Sequence, residues 1–207
     1  EMTSSLVGSE MCIRDRYVAS PLITMHDGAA SVLSAASYFF DDDGILASDT
    51  VIIDKGILKR GISDALSALE LGTTPTGNGR RESYKRKSYT RMTNTFFEKG
   101  ESTLEEMIQS VDNGYMIFDT NNGMEDPKNW GIQCTALYGR EIKNGKFTGK
   151  IVSPIVMSGY VIDLLTSISM VSTDVVVTGS GSCGKGYKEW VRVSDGGACL
   201  KAKVKIG

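Results

Sequence analysis

The dipeptide Asn144-Gly145 constrains this chain more than any other short feature. Both residue types tolerate the positive φ of a type I′ turn, whose twist matches that of the two strands it joins. The flanking stretches, Gly131 to Ile142 and Lys146 to Val156, therefore read as the arms of a β-hairpin. A second hairpin is expected where Thr50 to Ile53 and Gly56 to Lys59 flank Asp54-Lys55. Thr93 to Phe97, Gly114 to Asp119, Val175 to Val177 and Tyr187 to Ile206 read as further strands.

The helical signals are short. Ser63 is expected to cap a helix with Ala65, Leu66, Ala68 and Leu69 on its apolar face, stopped by Gly72. Ser102-Thr-Leu-Glu105 reads as a capping box opening a helix with Leu104, Met107, Ile108 and Val111 on one face, ended by Asn113-Gly114. A third helix is expected from Tyr160 to Met170, with Val161, Leu164, Leu165 and Ile168 inward. Between the first two, Thr73 to Arg91 reads as a long basic loop, and long loops in compact domains are often functional. Asp41-Asp-Asp43 with Gly44 reads as a solvated turn, lacking the spacing of a calcium loop. The class is α+β: a mainly antiparallel β-sheet domain with a few short helices.

Residues 1–16 show neither periodicity nor turn chemistry. Leu6 to Asp15 back-translates into the reading frame of a transposon-type sequencing adapter, so this segment is expected to be non-native and the domain to span 17–207. Without it, 21 basic and 22 acidic residues remain, a balance that offers nucleic acid or an anionic membrane no electrostatic attraction. The apolar region Ile151 to Val177 contains Pro154, Asp163 and Asp174. An aspartate at mid-membrane costs about 2.5–3.5 kcal/mol, so this is no membrane span. Setting Cys12 aside, Cys134, Cys183 and Cys199 form an odd, sparse set that favours reduced thiols and a cytoplasmic location over a disulfide framework.

Cys183 lies in Gly179-Ser-Gly-Ser-Cys-Gly-Lys185, a glycine-rich run that reads as a loop following the Val175-to-Val177 strand. The run fits a phosphate-loop pattern, but Gly186 stands where the magnesium hydroxyl belongs. Lys188 to Val193 then alternates as a strand, where that motif must open a helix. Two readings of the thiol stand on residue chemistry alone: a packing side chain, or a thiolate favoured by neighbouring Lys185 and available to a metal or a carbonyl. A catalytic zinc needs about three protein ligands and a cysteine nucleophile needs a base. The chain has one histidine, His26.

Three blocks occur in order: Pro75-Thr-Gly-Asn-Gly-Arg-Arg-Glu-Ser-Tyr84, Arg91-Met-Thr-Asn-Thr95 and Gly181-Ser-Cys-Gly-Lys-Gly186. Together they resemble the C-terminal domain of TldD/PmbA-family metallopeptidases, over essentially Leu22 to Gly207. The resemblance implies a zinc ion held by two histidines of an H-E-x-x-x-H helix and by a cysteine that Cys183 matches. That helix motif is absent here, and the Thr24-to-Gly28 segment holding His26 resembles the stretch following it. The expectation is a fragment of a zinc-dependent peptidase for short or unfolded peptides, of the catalytic subunit type and inactive by itself. The resemblance further implies a hetero-oligomer with a paralogous metal-free subunit, or a homo-oligomer. Asn78, Arg80, Arg81 and Glu82 are candidate substrate contacts, the arginines for a peptide carboxylate and the other two for backbone amides. The competing expectation is a non-catalytic peptide-binding or scaffold subunit of the same fold.

Overall fold

The computed structural model describes residues 15–126, 128–185 and 189–207. Its strands are β1 (Met25–Asp27), β2 (Thr50–Asp54), β3 (Ile57–Leu58), β4 (Gly79–Arg80), β5 (Tyr89–Thr90), β6 (Asn94–Phe97) and β7 (Asn113–Asp126). They continue with β8 (Gly131–Lys143), β9 (Lys146–Val152), β10 (Ile155–Tyr160), β11 (Met170–Lys185), β12 (Glu189–Lys201) and β13 (Lys205–Ile206). The helices are α1 (Ala65–Leu71), α2 (Leu104–Gln109) and α3 (Val161–Thr166). Strands run in the order β11-β12-β6-β1-β2-β3 in one sheet and β13-β10-β8-β7 in a second, with β9 also on β8; β4 and β5 form a small ribbon. Every named pairing is antiparallel except β12 with β6, so the α+β expectation holds.

Both expected hairpins form, but the second arm of the later one stops at Val152, and Ile155 and Val156 belong to β10, which pairs β8 separately. Asn144 (φ 48°) and Gly145 (φ 73°) make the type I′ turn between β8 and β9. A Cβ on Gly145 would lie 2.6 Å from the Gln109 carbonyl oxygen, so close approach to α2 adds to the demand for glycine. The earlier turn sits one residue later than expected, on Lys55 (φ 46°) and Gly56 (φ 83°), with Asp54 opposite Ile57. A glycine accepts that φ more readily than Asp54 would, which moves the turn.

Helix boundaries moved for similar local reasons. The cap of α1 is Asp64, not Ser63: its carboxylate accepts from the Ser67 amide at 2.7 Å, and the Ser67 hydroxyl accepts from the Asp64 amide. Ser63 is buried and its amide donates to the Thr76 hydroxyl. The expected apolar face also fails, because Leu66 and Leu69 are 50% and 78% exposed while Ala68 is buried. Thr103 and Glu106, rather than Ser102 and Glu105, close the capping box of α2, since the overlapping sequence offers both spacings. That helix ends before Ser110, and Asn113-Gly114 opens β7 instead of stopping it. Only Val161–Thr166 of the third expected helix is helical; Tyr160 belongs to β10, and Ile168 lies beyond α3 in the core.

The main core gathers Val18, Ala19, Ile23, Ile53, Ile168, Val171 and Ala198, with Phe97, Ile162 and Leu165 packed against it. Burial of a side chain such as Ile23 is worth about 1.5–3 kcal/mol. For residues 1–14 the expectation of a foreign segment lies outside the described residues. Asp15 and Arg16 are described, and both pair through the backbone with Leu58, at 2.8 and 3.1 Å. Among the described residues no helix is long and apolar enough to cross a membrane.

Candidate functional site

Cys183 is not in a loop. It lies near the end of β11, opposite Val191 of β12, with Gly184 opposite Trp190 and Lys185 opposite Glu189. Strand alternation puts Cys183 on one face with Gly181, Lys185, Val191 and Val193. Both valines are buried, and the thiol is half-buried. The flanking glycines have packing reasons. A Cβ on Gly184 would stand 3.0 Å from the Trp190 ring, and one on Gly179 would stand 2.5 Å from the Ala35 Cβ. The glycine-rich composition that suggested a loop instead clears room beside a strand.

The segment from Thr73 to Arg91, expected to be a loop, is folded onto this ribbon. Arg91, 3% exposed, donates from Nη2 to the Cys183 carbonyl and from Nη1 to the Glu189 carbonyl at 3.1 Å. Arg80 donates to the carbonyls of Met92 (2.7 Å) and Arg192 (2.6 Å), with its guanidinium 5.6 Å from the Tyr38 ring centre. Glu82 accepts from the Trp190 amide at 3.3 Å. Burial lowers the Arg80 pKa from the usual guanidinium value and pushes the Tyr38 phenol well above its own, so Tyr38 stays a neutral donor to the Gly77 carbonyl. An arginine remains charged even so.

The loop is anchored by a carboxylate that the sequence did not single out. Asp27, 1% exposed, accepts from Asn78 Nδ2 (2.7 Å), the Thr93 amide (3.0 Å), the Thr93 hydroxyl (2.7 Å) and the Thr95 hydroxyl (2.5 Å). Asn78, wholly buried, also donates to the Arg91 carbonyl at 3.0 Å, and its Oδ1 accepts from Thr76 at 2.7 Å. A buried carboxylate survives when donors surround it, and here they do. One chain of contacts thus runs from Asp27 in β1 through Asn78 and Arg91 to the Cys183 carbonyl. Asp41 adds a second anchor: Asp42, Asp43 and Gly44 form the exposed turn expected, but Asp41 itself is 5% exposed and accepts from the Gly79, Asp43 and Ile45 amides.

Each candidate substrate contact therefore has a partner within the chain. Asn78 lies inside the hub, Arg80 grips two carbonyls, and Glu82 holds the Trp190 amide. Arg81 meets Asp42, its amide donating to the carboxylate at 2.9 Å with Nε 3.4 Å from the other oxygen.

His26 is buried in β1 and stacks on Phe96 at 5.2 Å. Nδ1 lies 2.8 Å from Asp49 and Nε2 lies 2.9 Å from Glu98. Burial lowers its pKa, but the two carboxylates more than offset this and hold it above the ordinary value. With both nitrogens facing carboxylates, this histidine offers no lone pair to a metal. Among the described residues no group of three or more His, Cys, Asp or Glu side chains is arranged to hold a metal ion. The described residues therefore do not make up a zinc shell.

The family profile described as "PmbA/TldA metallopeptidase C-terminal domain" matches residues 13–195. This chain belongs to that family. The "Metalloprotease TldD homolog" of Buchnera aphidicola from Schizaphis graminum is 36% identical over 83% of this chain and 35% of its own length. The "Zinc metalloprotease TldD homolog" of Saccharolobus solfataricus is 31% identical over 100% of this chain and 46% of its own. Among solved structures, TldE from Thermococcus kodakarensis superposes with a TM-score of 0.77 at 24% identity, covering 94% of this chain and 41% of that one. The chain spans less than half the length of these relatives. As a PmbA/TldA C-terminal domain it draws together the three sequence blocks of the family: Asn78 and Arg80, Arg91 to Thr95, and the Cys183 ribbon.

Proposed function

We propose that residues 17–207 are the C-terminal part of a zinc-dependent metallopeptidase that hydrolyses short or unfolded peptides in the cytoplasm. Cys183 supplies one metal ligand, while the remaining ligands and the general base come from residues outside this domain. In this reading the protein assembles with a paralogous metal-free subunit or with a second copy. Asn78, Arg80, Arg81 and Glu82 shape the cavity wall, acting on substrate through the position they give the loop and the ribbon. Supporting this reading is the Arg91 clasp: a buried hub reaches across the fold to fix the backbone at the one thiol among the family blocks.

The test is a chimera in which residues 17–207 replace the matching part of the Saccharolobus relative. It should bind zinc and cleave unstructured peptides, and Cys183→Ala should lose both while Cys134→Ala and Cys199→Ala keep both. Full zinc and full activity in Cys183→Ala would overturn the assignment. A folded chimera that binds peptides without zinc or turnover would favour the scaffold reading.

A further inference from the structure

The end of the β11–β12 ribbon gathers several cations, and most are occupied. Arg91 holds the Cys183 and Glu189 carbonyls, Arg80 holds those of Met92 and Arg192, and Arg81 is engaged by Asp42. Lys185 is different. It stands two residues beyond Cys183 on the same face of β11, half-buried, with its ammonium 4.6 Å from the Tyr89 ring centre. The exposed Lys87 places its ammonium 5.4 Å from the same ring. Among the described residues neither lysine has a carboxylate within ion-pair distance.

The surroundings do not neutralise this pair. The positive charges of Arg91 and Lys87 act on Lys185, and the carboxylates of Asp64 and Glu189, which act the other way, are not within ion-pair distance of it. Asp64 is already committed as the α1 cap. An aromatic face stabilises an ammonium only modestly, and a partly desolvated cation among other cations is a good receptor for an anion. Because Cys183 and Lys185 share a strand face two residues apart, an anion held by Lys185 sits beside the thiol.

We propose that Lys185 and Lys87, over Tyr89, form a carboxylate-binding subsite next to Cys183 that selects peptides presenting a carboxylate there. The carboxylate is that of a peptide chain end or of an acidic side chain. This deepens the peptidase reading and rests on it, but its test reads binding alone, with neither metal nor turnover.

The full 207-residue chain is titrated by two-dimensional NMR at ~50 mM salt with three probes. They are pentaalanine with a free C-terminus, pentaalanine amide, and acetyl-Ala-Ala-Glu-Ala-Ala amide. At least one carboxylate probe should bind about tenfold more tightly than pentaalanine amide and shift the Tyr89 and Lys185 signals. The free-acid and glutamyl arms distinguish a chain-end carboxylate from a side-chain one. Lys185→Gln, with its spectrum otherwise native, should reduce the preference to within about twofold, and Lys185→Arg should keep it. Equal affinity for acid and amide probes, binding of none, or a tenfold preference surviving in Lys185→Gln overturns the subsite. Equal binding of all three would leave the peptide-binding reading standing, so the two failures are separable.

Discussion

The two large sheets of this domain are held together by different means. In the six-stranded sheet, the residues around β1 and β6 bury polar side chains almost completely: Asp27, Asn78, Thr93, Asn94 and Ser194 are all at 1% exposure or less. Asp27 in particular joins segments 51 and 66 residues away, through Asn78 and Thr93. The sheet built on β8 is instead a set of backbone ladders that, apart from the short β10–β13 pairing, join strands close in sequence. It buries Ala136, Ile142 and Ile155, and leaves the far end of β7 from Asp119 to Asp126 exposed. A polar hub loses a great deal when one partner is removed, because the donors left behind stay buried. A ladder with an apolar seam loses only what a cavity costs.

The largest effect should come from the hub. Asp27→Asn keeps the shape but turns an NH2 group toward groups that donate, stranding at least one buried N–H, that of the Asn78 side chain or of the Thr93 backbone. Urea unfolding should show a loss of about 3–5 kcal/mol, and a loss below about 1 kcal/mol would break the contrast. Ile155→Ala, at a fully buried apolar position of the ladder region, should cost about 2–4 kcal/mol as a cavity. It should leave the loop contacts of Arg80 and Arg91 intact, seen as unchanged amide signals for residues 78–91.

His26 should give a smaller, pH-dependent effect. Its folded pKa is raised, so the stability it contributes is fully present below its unfolded value near 6.5 and is lost as pH rises through the folded value. Asp49 and Glu98 are about half exposed, so solvent and salt weaken the interaction. Denaturant midpoints measured from pH 6 to 9 should fall with rising pH in the parent chain, and the fall should be shallower in His26→Gln. Equal slopes would show that the two carboxylates do not sustain the imidazolium.

The ladder region was the legible one. Asn144-Gly145 marks its own turn, and strand alternation extends from it without help from distant residues. The hub was not legible, because Asp27, Asn78 and Arg91 meet only after three separate segments have folded together. Capping errors came from sequence that offers two overlapping solutions, as in Ser102-Thr103 followed by Glu105-Glu106. The run around Cys183 reads as a loop because glycine is a poor strand former taken alone. Its neighbours are glycine for reasons that lie across the sheet, chiefly the Trp190 ring against Gly184. The family blocks were visible in sequence; that arginines from one would hold the backbone of another was not.

The central structural claim is that the Asp27–Asn78 hub fixes the Cys183 ribbon through Arg91. Hydrogen–deuterium exchange on Arg91→Met tests it most directly, because the substitution keeps an aliphatic stem and removes both guanidinium bonds to the Cys183 and Glu189 carbonyls. Exchange should accelerate at the amides of residues 181–185 and 189–193 by about tenfold or more, while those of β8 and β10 keep their protection. Unchanged protection across the ribbon, or an equal loss in both sheets, would contradict the claim.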